Sequence, residues 1–219
     1  MFHVKHSGGE VESDNVSRDR VYYTEPTGVV ASELYDRGSR FIGRVEPFTD
    51  GSLLKERIAE RRNEHPAATH VVYAYAVGVP SPNDEGCSDD GEPHGTAGRP
   101  VLDAIGYAHL TNTLITVVRY FGGTKLGTGG LVRAYGDSAR RAIAEANVRR
   151  CVERTTFHLS LPYELYDSVR KRCTQEGVDL VGEDFGEQVQ IRLSVERILV
   201  EELDADLLEL SGGAISLRR

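Results

Sequence analysis

The chain has little cysteine: three in 219 residues, Cys87, Cys151 and Cys173. An odd, widely spaced trio makes neither a disulfide framework nor a zinc-ligand pattern. Each is read as a small buried or incidental residue, and the cytoplasm as the default compartment. No apolar run approaches the ~18 residues a membrane-spanning helix needs, so no membrane association is expected. The opening MFHVKHSGGEVESDNVSRDR lacks the apolar centre of a signal peptide; residues 1–20 read as a polar, mobile tail. Lysine is scarce, 4 against 22 arginines. Arginine makes bidentate contacts to phosphate and carboxylate, although base composition of the genome accounts for such a ratio more simply. There is no G-x-G-x-x-G, no G-x-S-x-G, no H-E-x-x-H and no internal repeat. A dinucleotide site and hydrolases of those two classes are therefore not expected.

What is present is a globular composition, 39% hydrophobic and 27% charged, with a net charge of −8. That suffices for a sizeable core in one large domain or two small ones. The charge is uneven. Residues 151–219 hold 14 acids and 8 bases, a balance of −6. Residues 99–150 hold 8 bases and 3 acids, a local +5. An acidic chain with one basic strip suits a local anion contact better than general polyanion binding.

That strip coincides with the most informative stretch, VVRYFGGTKLGTGGLVRAY, Val117 to Tyr135. A β-branched run stops at Gly122 and Gly123. Gly127, Gly129 and Gly130 follow, and then a helical pattern of Leu131, Val132, Tyr135, Ala139 and Ile143. Strand, glycine loop and helix is the geometry that aims free N–H groups at an anion. Arg119, Lys125 and Arg133 lie close by. The plain alternative is a tight turn, but five glycines in nine residues exceed what one turn needs. Gly122 and Gly127 satisfy only half of a P-loop, since Thr128 and Gly129 stand where Lys and Ser or Thr belong.

The element order predicts an α+β chain. Strands are expected at 21–24 with 28–34, and at 40–45. A helix over 52–63 would turn Leu53, Leu54 and Ile58 inward. A strand follows at 69–77, then a long polar loop over 78–98, a helix from Pro100, a strand at 113–121, and the helix after the glycine loop. The charged Val148-Arg149-Arg150 is read as the break between a domain over 21–150 and a second over 151–219. The second reads β-α-β-β-α-β, a ferredoxin-like order closed by a strand at 214–217.

The long loop carries SDDGEPHGTAGRP, Ser88 to Pro100. Asp89, Asp90 and Glu92 either hold a hard cation such as magnesium or form a solvated turn. Thr96, Ala97 and Gly98 are placed to cap the next helix. His70 is either an acid–base group or a strand-end histidine, His94 reads as exposed and His65 as a helix end. Together the two motifs resemble the IMPACT/YigZ family. The matching residues are Ser39-Arg40-Phe41-Ile42, Glu64-His65-Pro66 with His70, Ser88-Asp89-Asp90-Gly91-Glu92-Pro93 with Gly95 to Gly98 and Pro100, and Val118 to Gly123 with Leu126-Gly127 and Gly129 to Tyr135. The resemblance covers about Ser39 to Ala146. It implies an N-terminal α/β fold shared with a small-subunit ribosomal protein, translocation elongation factors and small-molecule kinases. It also implies a second domain like another elongation-factor domain. Eukaryotic relatives restrain the amino-acid-starvation kinase by binding its activator on ribosomes. The chain departs from the family at Val71 and Val72, where a polar residue and a cysteine are frequent, and at Gly38, frequently lysine.

The expectation is a translation-associated regulator, more plausibly a binder than an enzyme, with no cofactor. It would bind RNA or a ribosome-associated protein through Arg119, Lys125, Arg133 and the amides of the glycine loop. A metal-dependent enzyme acting on a small phosphorylated substrate is the alternative, and an acidic interaction module the third possibility. Replacing Arg119, Lys125 and Arg133 with alanine should weaken anion binding if all three are exposed.

Overall fold

The structure, a computed structural model, describes residues 21–217. The tail expected over 1–20 lies outside the described residues. Among the described residues, 22–151 and 152–217 belong to different compact units.

The first unit opens with β1 (Tyr22–Pro26), β2 (Val30–Asp36) and β3 (Ser39–Pro47). A 3-10 turn, Gly51–Leu53, leads into α1 (Leu54–Glu64), and β4 (His70–Val77), β5 (Asp84–Ser88) and α2 (Gly98–Tyr107) follow. It closes with β6 (Thr113–Tyr120), α3 (Thr128–Glu145) and β7 (Val148–Val152). Five strands form an antiparallel sheet in the order β2-β3-β6-β4-β5, and β1 pairs with β7. Central β6, TLITVVRY, is buried at seven of its eight positions. This is why it reads as a continuous apolar run rather than an alternating one.

Phe41, Val45, Val72, Ala74, Ile115 and Val117 meet Val101, Ile105, Leu131, Tyr135 and Ala139 of α2 and α3 in the main core. Gly43 lets α3 approach, since a Cβ there would stand 2.7 Å from the Ser138 carbonyl oxygen. The other face carries the smaller cluster of Ile42, Val71 and Val118. Register sets which side chain faces the helices, and a one-residue slip would invert it. Phe41 is opposite Arg119, which is opposite His70. One row across β3, β6 and β4 therefore holds three of the site's residues.

Several expectations need correction here. Leu53 lies in the 3-10 turn before α1 and is exposed; the buried residue of α1 is Arg61. The loop over 78–98 contains β5, whose DEGCS sequence has no apolar alternation to announce it. Residues 148–150, expected to end the first domain, belong to strand β7, where Arg149 pairs with buried Glu25 at 2.5 Å and the Arg150 guanidinium lies 3.8 Å from the Tyr22 ring centroid.

The second unit runs β8 (Arg154–Leu161), α4 (Tyr163–Arg172), β9 (Val178–Phe185), β10 (Val189–Glu196), a 3-10 turn Arg197–Leu199, and α5 (Val200–Leu210). Its antiparallel sheet has the order β8-β10-β9. Leu161, Leu193, Leu203 and Leu207 are at the centre of its core. The closing strand expected at 214–217 is not formed. Gly212 and Gly213 take positive φ, and the Leu217 amide donates to the Asp204 carboxylate of α5 at 2.8 Å. The Ile215 amide is likewise taken by the Ser211 hydroxyl at 2.8 Å. Amides spent on side chains are not offered to a neighbouring strand.

Candidate functional site

The glycine loop between β6 and α3 is anchored by two side-chain hydroxyls and by a close backbone approach. A Cβ on Gly122 would stand 1.9 Å from the Gly38 carbonyl carbon, so only glycine fits where the β2–β3 turn meets the loop. The Gly122 amide donates to the Ser39 hydroxyl at 3.2 Å, and the Phe121 amide to the Thr69 hydroxyl at 3.2 Å. Gly123 and Gly127 adopt φ of 86° and 75°, the left-handed region that favours glycine. Gly127 also caps α3, where no side chain supplies a cap. The amides of the first helical turn consequently have no intrahelical acceptor. Beside that turn, a Cβ on Gly129 would meet nothing within 4 Å, whereas Gly130 packs on Leu126.

The acidic loop folds over this region, and its carboxylates part company. Asp89 accepts from the amides of Gly95 at 2.8 Å, Ala97 at 3.0 Å and Gly98 at 2.8 Å, and so caps α2. Burial pushes its carboxyl upward, but those three N–H groups outweigh burial and hold it below the ordinary aspartate value. Asp90, itself at φ 47°, accepts from the Val71 amide at 2.5 Å and pairs with Arg62. Thr96 donates to the Pro93 carbonyl at 2.6 Å, a bond within the turn. His94 is fully exposed. Among the described residues, no three His, Cys, Asp or Glu side chains gather as a metal-binding group.

Glu92 goes inward. Its Oε1 accepts from Arg119 Nη1 at 2.6 Å and from the Tyr135 hydroxyl at 2.7 Å. Both side chains of the ion pair are about 95% buried: exposures are 6% for Arg119 and 5% for Glu92. Burial, and then the bond to Glu92, push the Tyr135 hydroxyl well above the ordinary tyrosine range. His70 Nδ1 lies 2.8 Å from the Asp90 carbonyl oxygen, which can only accept, so Nδ1 carries the proton. Its Nε2 is left 3.7 Å from Glu92 Oε1. The Arg119 guanidinium carbon is 5.5 Å from the ring centroids of both Phe41 and Phe121.

A cavity of about 350 Å³ opens where the two loops meet. Its polar floor is the Glu92–Arg119 pair, its apolar wall is Pro93, Phe121, Leu126 and Leu131, and its rim carries Lys125, Gly127 and Thr128. The structure thus brings Glu92, Arg119, Lys125 and Gly127 together. It leaves Asp89, Asp90 and Thr96 in local roles and places Lys125 and Arg133 at the surface. Arg119, expected as an anion ligand, is neutralised by Glu92, because the strand register aims it under the acidic loop. Sequence reasoning passed over Ser39, which anchors the loop, and the role of Tyr135 behind Glu92. The only signal for either was the motif that contains it.

The comparisons agree with this architecture. Residues 37–143 match the family model described as the Impact N-terminal domain. Residues 159–214 match a second one, described as a domain of unknown function (DUF1949). The chain is similar to an IMPACT family member of Haemophilus influenzae, 34% identical over 90% of this chain and 96% of that protein. It is also similar to the IMPACT family member YigZ of Escherichia coli, 34% identical over 82% of this chain and 88% of that one. A crystal structure described as that of a hypothetical protein superposes with a TM-score of 0.65, at 31% identity over 88% of this chain and 94% of the other. With full-length relatives at this identity and both parts of the chain matched, the chain belongs to the IMPACT family.

Proposed function

We propose that the chain is a translation-associated regulatory protein that binds RNA or a ribosome-bound partner at the cavity between the acidic and glycine loops. The observation that carries the reading is the convergence of Lys125 with the first turn of α3, which no side chain caps, on one concave surface. Helix N-termini favour anions, and a nearby cation adds to that attraction. Arg119 and Glu92 cancel each other's charge, so Lys125 and Arg133 are the cations of the glycine loop and its flanks that can act on a partner. The family's link to translation in its eukaryotic relatives supports the choice of partner. Asp89, Asp90 and Glu92 are each held by separate protein groups, which supports the binding reading over the metal-dependent enzyme.

Co-sedimentation with ribosomes of the native host, at low and high salt, tests the reading. The variant is Lys125→Ala/Arg133→Ala; Arg119 is left intact because its loss would strand buried Glu92. The parent should pellet with ribosomes at low salt and release them as salt rises. The variant should bind more weakly and with a shallower salt slope, by roughly 0.7 to 0.9 for each phosphate it no longer neutralises. A variant that pellets like its parent would overturn the proposed binding surface.

A further inference from the structure

The cavity has one aromatic wall, and that wall narrows the kind of anion that fits. Three aromatic residues flank the glycine loop in sequence. Tyr135 is fully buried behind Glu92. Tyr120 points to the opposite sheet face, where its hydroxyl meets His65 Nδ1 at 2.8 Å. Of the three, Phe121 alone is half exposed, at 49%, and lines the cavity. The Arg119 guanidinium approaches its ring within cation–π range. This holds the ring in place as a flat apolar surface. Beyond the apolar wall and the mutually neutralised Glu92–Arg119 floor, the cavity carries Lys125 and, at Gly127 and Thr128, the start of α3; a Cβ on neighbouring Gly129 would meet nothing within 4 Å.

A flat apolar surface next to an anion site matches a ligand with a planar ring and a phosphate. We infer that the cavity takes a single nucleotide, its base against Phe121 and its phosphate at Lys125 and the amides of α3. This rests on the anion-site reading above and deepens it by naming the ligand. The volume, about 350 Å³, is near the lower end of the ~300–1,000 Å³ of small-molecule sites. One aromatic among the lining residues provides stacking for one base rather than a run of bases. A base within a duplex cannot enter a concave site, so the nucleotide is unpaired. It is either a looped or terminal nucleotide of RNA or a free one.

Fluorescence anisotropy with a labelled unpaired oligoribonucleotide, and with adenosine 5′-monophosphate as competitor, tests the inference on the full chain. Phe121→Ala should weaken oligonucleotide binding by roughly 5- to 150-fold, the range for loss of one base–aromatic stack. Phe121→Tyr keeps the flat ring and should restore the parent affinity. Lys125→Ala should reduce the salt slope by about 0.7. Competition by the monophosphate as effective as by the oligonucleotide identifies a free nucleotide as the ligand; weaker competition identifies RNA. Circular dichroism matching the parent establishes that Phe121→Ala, at a half-exposed position, remains folded. Unchanged binding by folded Phe121→Ala would overturn the inference, as would a parent that binds neither probe. If that parent still pellets with ribosomes through Lys125 and Arg133, the anion site stands without a nucleotide. If it does not, both readings fall.

Discussion

At the scale of single residues, the site depends on which charges are spent and which are free. Arg119 and Glu92 are 27 positions apart and nearly fully buried. Removing one partner of such a pair leaves the other charge desolvated, at a cost of about 3–5 kcal/mol. Arg119→Ala and Glu92→Gln should each lower the midpoint of urea unfolding by a corresponding amount. Lys125→Ala should stay within about 0.5 kcal/mol of the parent, as surface changes do. Equal stability for all three variants would show the pair to be dispensable. The pairing was not legible in the sequence. That Arg119 lay near a glycine loop could be read from adjacency. That it faces Glu92 follows from the β3–β6–β4 register and the path of the long connection between β4 and α2, neither of which is a local property. The glycines were more legible, because a positive φ or a close approach admits little else: Gly122, Gly123 and Gly127 each meet one of those two conditions.

At the scale of elements, strands and helices with strong apolar period were readable, and segments held by polar groups were not. β6 was legible as a continuous β-branched run and α3 from its helical period. β5 has nothing apolar to alternate and is held by its pairing to β4. The 214–217 segment has buried apolar side chains suited to a strand, yet the Asp204 carboxylate and the Ser211 hydroxyl capture its amides. A similar capture shapes α2, whose first turn is capped by Asp89 from eight and nine residues upstream. Asp89 has a depressed folded pKa, so its contribution to stability is present above the unfolded aspartate value of about 3.9. It is lost as pH falls through the lower folded value. Asp89→Asn keeps the shape and removes the charge. It should cost about 1 kcal/mol at pH 7, within the range for helix caps. Urea unfolding at pH 7 and at pH 3 should show the gap between variant and parent narrowing in acid. A gap that does not change with pH would mean that the charge contributes nothing.

At the scale of the whole molecule, two cores divide the chain. The main cluster and the smaller outer one draw only on residues 34–146, and the other cluster only on residues 157–217. A fragment of residues 22–151 should therefore fold alone and melt in one cooperative transition by circular dichroism. A broad, non-cooperative melt would show that it needs the rest of the chain. The charged residues at 148–150 build a strand. That strand, β7, pairs with β1, and Thr27 bonds the Asn147 carbonyl at 2.9 Å through its amide. The first and last strands of the unit are thus buckled together, with Glu25 and Arg149 as the clasp. Tension applied along the chain from either side would load this ribbon before it reached the sheet. A partner that tugs on the flanking segments would then leave the cavity's geometry undisturbed until the buckle opened.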